Sequence, residues 1–273
     1  MNRCVLLALL ALAMTSCVAA KTPASDPALA LSRIERADWG RHFQAAGVQG
    51  TLVLLKHGSA QAQVYNPAGA ATPYLPASTF KVVNALIALE TGVASGRDEV
   101  FPWDGVKRSP AAWNKDLTLR EAFAVSSVPT FQVIARKIGT ERMARYVREA
   151  RYGNQNIGGA IDTFWLQGDL NITALQQVDF LQRLNRGQLP FSKKNMDTVK
   201  DLMVVDKGAD WVLRAKTGWV VRDKPNVGWW VGWLERRGEV WYFALAIDLD
   251  KAEQAKARQD IVRAVLKQEG LLP

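Results

Sequence analysis

The pattern of apolar and polar positions changes character several times along the chain. Arg3 is followed by an unbroken apolar run from Val5 to Ala13 and then by small residues through Ala20, the three-part layout of a secretory signal peptide. Leu31, Ile34 and Phe43 recur near helical spacing in a segment ending at Gly47, and Thr51 to Leu55 reads as a strand. A long helical middle follows. In it, Thr118-Leu119-Arg120-Glu121 and Thr173-Ala174-Leu175-Gln176 fit the capping-box spacing, in which side chains satisfy orphan backbone donors reciprocally. Gly92, Gly139 and Gly187 stand where helical patterns stop, the expected place of a left-handed C-terminal cap. From Trp211 the pattern turns to β. Trp211 to Lys216, Val227 to Leu234 and Glu239 to Ile247 are rich in Val, Trp, Tyr and Phe, and Glu235 to Gly238 between the last two predicts a hairpin. Ile261, Val262, Ala264 and Val265 give a final amphipathic helix.

Strands at both ends of a helical middle predict an α+β fold: an antiparallel β-sheet flanked by N- and C-terminal helices, with an all-helical subdomain inserted. The expected organisation is a signal peptide over residues 1–20 and one folded unit over 21–273. Its sheet part is expected at about 21–77 and 205–273 and its helical part at about 78–204. No internal repeat or low-complexity linker is visible, and beyond the signal nothing is apolar for long enough to span a bilayer.

Composition narrows the class. Both cysteines, Cys4 and Cys17, lie in the signal segment, so a mature chain starting at Lys21 has no disulfide or thiolate zinc site. Val18-Ala19-Ala20 suits ordinary cleavage and a periplasmic product. Met14-Thr15-Ser16-Cys17 also resembles a loose lipobox, which would make a lipoprotein through Cys17; ordinary cleavage is favoured because Met stands where Leu is expected. The net charge is +9, and +8 once Arg3 leaves with the signal. The basic residues come at most in pairs, such as Lys193-Lys194 and Arg236-Arg237, so a solvated surface favouring anionic small molecules is expected, and no nucleic-acid partner.

The candidate chemistry starts at Ser78. A serine hydroxyl is a poor nucleophile without a base, and the only histidines, His42 and His57, stand in no recognisable context. Lys81 follows Ser78 by three residues, a spacing that puts both side chains on one helical face. Burial among Phe80, Val82, Val83 and Leu86 would lower the lysine pKa toward the neutral, basic form. A helix N-terminus there also offers backbone N–H groups to a developing oxyanion. The plainer alternative for an isolated S-x-x-K match is an N-cap serine and a snorkelling lysine. Three further elements accompany it: Lys216-Thr217-Gly218 at the end of a β segment, Ser126-Ser127-Val128 before Pro129 at a helix break, and Tyr152-Gly153-Asn154 after a helix. The amine and hydroxyl of the first can hold a substrate carboxylate, and its glycine lets a substrate approach the strand edge. Each has a bland counterpart, a strand end, a helix end and a glycine cap. In order and together, they are far less expected by chance.

Together with Pro76-Ala77-Ser78-Thr79-Phe80-Lys81, Phe164-Trp165-Leu166 and Gly228-Trp229-Trp230-Val231-Gly232-Trp233, these motifs make nearly the whole mature chain resemble the class D, oxacillinase-type serine β-lactamases. The resemblance implies that the folded unit is a β-lactamase catalytic domain. Ser78 would attack the β-lactam carbonyl, forming an acyl-enzyme that water then hydrolyses, an activity that confers antibiotic resistance. It implies Lys81 as general base after its neutral amine captures carbon dioxide as an N6-carboxylate, with Trp165 donating a hydrogen bond to that group. It implies apolar walls from Phe80, Val128 and Leu166. Ser126 would carry the proton to the departing nitrogen, with Lys216 beside it; Ser127 does not fit the frame, since Pro129 stands where valine is required.

By the same resemblance the backbone N–H groups of Ser78 and Trp219 form the oxyanion hole. Thr217, Gly218 and Arg258 would bind substrate, with Arg263 close by as the alternative arginine. Tyr152 and Asn154 would shape the site. The expected requirements are a β-lactam substrate and carbon dioxide or bicarbonate, with no metal and no other cofactor, in a monomer or homodimer. The competing readings are a penicillin-binding D-Ala-D-Ala peptidase and a non-hydrolytic β-lactam sensor domain. The tyrosine and tryptophan motifs oppose the first; the lack of several membrane spans before the domain opposes the second.

Overall fold

A computed structural model describes residues 31–221 and 226–273. The expected signal peptide, with Cys4 and Cys17, lies outside these residues, as do residues 222–225. Among the described residues, no helix is long and apolar enough to cross a membrane.

The chain begins with strand β1 (Ser32–Glu35), helix α1 (Gly40–Ala45), strands β2 (Gly50–Lys56) and β3 (Gln61–Tyr65) and the short helix α2 (Pro67–Ala70). The helical spacing expected from Leu31 to Gly47 therefore holds only for its second half. Ile34 lies on β1, 46% exposed, because β1 pairs with β3 at the sheet's edge and buries none of its four residues. A 3-10 turn (Ala77–Phe80) leads into α3 (Lys81–Glu90), which is followed by β4 (Val100–Phe101) and β5 (Leu117–Thr118). Helices α4 (Leu119–Ala124), α5 (Val128–Ile138), α6 (Thr140–Glu149), α7 (Phe164–Gln167), α8 (Ala174–Asn185) and α9 (Lys193–Leu202) complete the middle. Both expected capping boxes form: Thr118 with Glu121 starts α4, and Thr173 with Gln176 starts α8. Gly92 and Gly187 adopt positive φ just after α3 and α8, as a cap requires; Gly139, at φ 80° and ψ 158°, instead links α5 to α6 in one residue.

The C-terminal part holds β6 (Val204–Lys207), β7 (Trp211–Val220), β8 (Val227–Arg236), β9 (Glu239–Asp248) and α10 (Ala257–Gln268). β4 and β5 pair with each other, and the other seven strands form one sheet in the order β1-β3-β2-β9-β8-β7-β6. Every pairing is antiparallel except β1 with β3. The β8–β9 hairpin closes more tightly than Glu235 to Gly238 suggests: Arg236 pairs with Glu239, and the two loop residues Arg237 and Gly238 both take positive φ, the geometry that matches strand twist.

Two apolar cores explain why β8 reads as a continuous hydrophobic run. One face of the sheet, with Trp229, Val231 and Trp233, packs against the helical middle; the other, with Trp230, Leu234 and Phe243, is covered by α1 and α10. A strand buried on both faces has no polar alternation to show. Fully burying each such side chain is worth about 2 kcal/mol.

Candidate active site

The Ser78 turn, the Ser126 segment and strand β7 converge where the helical middle meets the sheet. Ser78 lies in the 3-10 turn just before α3, and Lys81 is the first residue of that helix, so the three-residue spacing brings their side chains together. Lys81 Nζ is 2.7 Å from Ser78 Oγ. Ser78 is partly exposed, whereas Lys81 is fully buried. Its amine also lies 5.5 Å from the centroid of Phe131. Burial, and secondarily the charge of Lys216, hold the Lys81 amine well below the usual lysine range. Among the described residues no carboxylate pairs with it. The lysine is neither snorkelling nor ion-paired, so the plainer reading of the motif does not apply.

The Ser126 segment is the break between α4 and α5. Ser127 caps α5 by accepting from Thr130 N, while Ser126 takes φ 54° and turns its hydroxyl to within 3.0 Å of Lys216 Nζ. The two adjacent serines thus divide the tasks, one holding the helix and one facing the site. Trp113 Nε1 braces the segment by donating to Val125 O at 3.0 Å. Lys216 is buried beside Phe123, and burial, followed by the charge of Arg258, brings its pKa down to about 7.

Strand β7 does not end at Lys216 but runs on to Val220. The donation of Ala215 N to Met203 O shows that odd-numbered residues of β7 point their backbone N–H away from β8. The β7–β8 register continues without a shift to Val220, so the N–H of Trp219 also leaves from the free edge. Gly218 serves a purpose different from the one expected. A Cβ there would lie 3.0 Å from Pro76 O and 3.1 Å from Thr79 Cγ2, so the glycine admits the Ser78 turn against the strand. Gly228 does the same for Arg258, whose Cδ would be 3.0 Å from an added Cβ. Arg258 crosses there and donates to Gly218 O at 2.7 Å and to Ala255 O at 2.8 Å. Desolvation lowers its pKa to about 10. Arg263, the alternative arginine, is ion-paired with Asp206 of β6 at 2.8 Å. The geometry therefore separates the two arginines: Arg258 stands at the Lys216-Thr217-Gly218 segment and Arg263 does not.

Trp165 on α7 is fully buried and stacks on Phe80, with ring centroids 5.4 Å apart. Its Nε1 has no hydrogen-bond partner, one of two such buried side-chain atoms among the described residues. Of the expected walls, Phe80 is fully buried while Val128 and Leu166 are half-buried. The sequence reading missed Phe131, one helical turn beyond Val128; the i, i+3 spacing was the available signal. Tyr152-Gly153-Asn154 ties the loop carrying α7 to the rest. Gly153 at φ 54° lies where a Cβ would be 2.1 Å from Asn171 O, and Asn154 donates to Asp169 O and accepts from Asn171 N. Tyr152 is buried, and desolvation pushes its phenol up, so it stays protonated.

Comparison with known proteins places the chain in a family. Residues 48–267 match the family described as penicillin binding protein transpeptidase domain. The chain is similar to beta-lactamase OXA-10 of Pseudomonas aeruginosa, 43% identical over 251 residues that cover 91% of this chain and 94% of the relative. The fold is similar to the crystal structure of the class D β-lactamase YbXI from Nostoc, with TM-score 0.84 and 44% identity over 86% of this chain and 99% of that one. It is also similar to FUS-1 (OXA-85), a class D β-lactamase from Fusobacterium nucleatum, with TM-score 0.85 and 36% identity over 88% of this chain and 100% of that one. The chain accordingly belongs to the penicillin-binding protein transpeptidase family and, within it, to the class D β-lactamases.

Proposed function

We propose that the protein hydrolyses the amide of penicillin-type β-lactams through a Ser78 acyl-enzyme, with N6-carboxylated Lys81 as the base. The observation that carries the reading is the fully buried, unpaired Lys81 amine 2.7 Å from Ser78 Oγ. Only an unprotonated amine adds carbon dioxide, and the addition releases one proton and leaves an anionic base. The partnerless Trp165 Nε1 fits a group of that kind, because an indole N–H donates and does not accept. Carboxylation would also give the buried Trp165 donor an acceptor.

In acylation Ser78 Oγ attacks the carbonyl carbon while Lys81 takes its proton. The oxyanion is received by the backbone N–H groups of Ser78 and Trp219. As the C–N bond breaks, Ser126 gives its proton to the departing nitrogen, and Lys216, 3.0 Å away, supplies the replacement. A lysine with a pKa near neutrality suits that exchange. Thr217 and Arg258 bind the substrate carboxylate. Once the proton taken from Ser78 has passed to solvent and Lys216 has regained one, the Lys81 carboxylate deprotonates the water that attacks the ester carbonyl and returns that proton to Ser78 Oγ as the C–O bond breaks.

Steady-state hydrolysis of a penicillin by the purified protein tests this reading. Many turnovers per molecule are expected, and Lys81→Ala should abolish them, with any acyl-enzyme that forms persisting. One stoichiometric burst by the unaltered protein, with no steady state, would refute hydrolysis.

A further inference from the structure

Ala77, immediately before Ser78, takes φ 47°, a left-handed backbone that costs a non-glycine residue about 1–2 kcal/mol. Such a conformation persists only where its surroundings over-determine it. The surroundings are polar and buried. Pro76 O accepts from Thr79 N at 3.1 Å and from Thr79 Oγ1 at 2.7 Å, which closes the turn around Ala77 and Ser78. A hydroxyl has one proton, and its rotor can aim it elsewhere. Gln177, on α8 and 98 residues away in sequence, removes that freedom: its Nε2 donates to Thr79 Oγ1 at 2.9 Å. An amide nitrogen cannot accept, so the Thr79 proton turns to Pro76 O at 2.7 Å, the much shorter contact beside the Tyr152 hydroxyl at 3.5 Å. The Tyr152 hydroxyl completes the cluster, 3.4 Å from Gln177 Nε2 and 3.5 Å from Thr79 Oγ1. Gln177 and Thr79 are both buried among apolar neighbours, where a hydrogen bond is strong and a broken one costly.

We infer that Gln177 is a positioning residue for acylation, orienting the Thr79 hydroxyl so that the Pro76–Thr79 turn holds Ser78 in its attacking geometry. The inference rests on the reading of Ser78 as nucleophile. It adds a residue on α8 that touches neither substrate nor reacting atoms, and it gives Tyr152 a place in the same cluster. Displacing a nucleophile by about 1 Å can cost on the order of 100-fold in rate.

The test is a double-mutant cycle of Gln177→Met, which keeps the shape and removes the donor, with Thr79→Val, which keeps the shape and removes the hydroxyl. The acylation rate constant is measured by rapid mixing with a chromogenic cephalosporin, per molecule of acylatable protein, alongside thermal melting. Gln177→Met is expected to slow acylation about 10- to 100-fold, and to change nothing further once Thr79 is valine. Thr79→Ser, which keeps the hydroxyl, should stay within a few-fold of the starting protein. Unchanged acylation with a lowered melting temperature would overturn the inference, since a purely structural brace behaves that way. Fully additive rate losses would overturn it too, because Gln177 would then not act through Thr79. Ser78→Ala separates the two levels: an adduct still forming there would overturn the nucleophile reading, and this inference with it.

Discussion

Lys216→Met should make the protein more stable while destroying its activity. Methionine keeps the unbranched stem and removes the amine. Lys216 has its pKa drawn from 10.5 to about 7 by burial, so between those values the unfolded chain holds a proton that the folded chain does not. A lysine lowered in this way makes its full contribution above pH 10.5 and loses it as pH falls toward about 7. At 1.36 kcal/mol per pKa unit, the amine costs about 4 kcal/mol of stability at pH 7 and about 2 kcal/mol at pH 9. The lost contact with Ser126 Oγ offsets about 1 kcal/mol of the gain. The variant should therefore exceed the starting protein by about 3 kcal/mol at pH 7, with an advantage that shrinks as pH rises. Urea unfolding followed by tryptophan fluorescence across this range measures the difference, and penicillin turnover by the same samples should be lost. A variant less stable at pH 7, or a gain independent of pH, would refute the reasoning. A gain of that size would mean that the site is held at the expense of the fold.

Three further substitutions probe separate parts of the site. Gly218→Ala places a methyl group 3.0 Å from Pro76 O; it should cost about 1–3 kcal/mol in denaturant unfolding and slow acylation on the order of 10-fold. Trp165→Phe keeps an aromatic ring against Phe80 and removes only the donor. Its bicarbonate concentration for half-maximal activity should rise about 10-fold, and a value unchanged from the starting protein would exclude the indole N–H from the site's chemistry. Arg258→Ala should raise KM for a penicillin about 10-fold or more, whereas Arg263→Ala, which breaks an ion pair to Asp206 and a contact over the Trp230 ring, should leave KM within a factor of about two; the reverse order would reassign the carboxylate contact.

How much of this was legible in the sequence depended on the range of each interaction. Ser78 and Lys81 are three residues apart, so their meeting follows from helical geometry alone, and Ser126 was singled out by the family resemblance, since Pro129 stands where Ser127 would require valine. The Lys216-Thr217-Gly218 segment was placed at the end of a β segment, and its glycine was read as room for a substrate at the strand edge. In the fold, the glycine is the condition for packing the Ser78 turn onto β7, a contact across more than 130 residues with no local trace. Leu31 and Ile34 mimicked a helical period because an exposed edge strand carries no alternation to contradict it. Gln177 was missed because its partner, the Thr79 hydroxyl, reaches it only through the tertiary fold, whereas Phe131 had a local sign in its i, i+3 spacing from Val128. The approach of Arg258, and not Arg263, to β7 likewise depends on Gly228, whose missing side chain opens the route.

The central claim is that a buried, neutral Lys81 becomes the carboxylated base for Ser78. Carbon NMR of the purified protein in 13C-labelled bicarbonate tests it most directly. One carbamate resonance is expected, absent from Lys81→Ala and lost together with penicillin turnover when carbon dioxide is stripped, both returning on addition of bicarbonate. Full turnover with no such resonance, unaffected by stripping, would contradict the account.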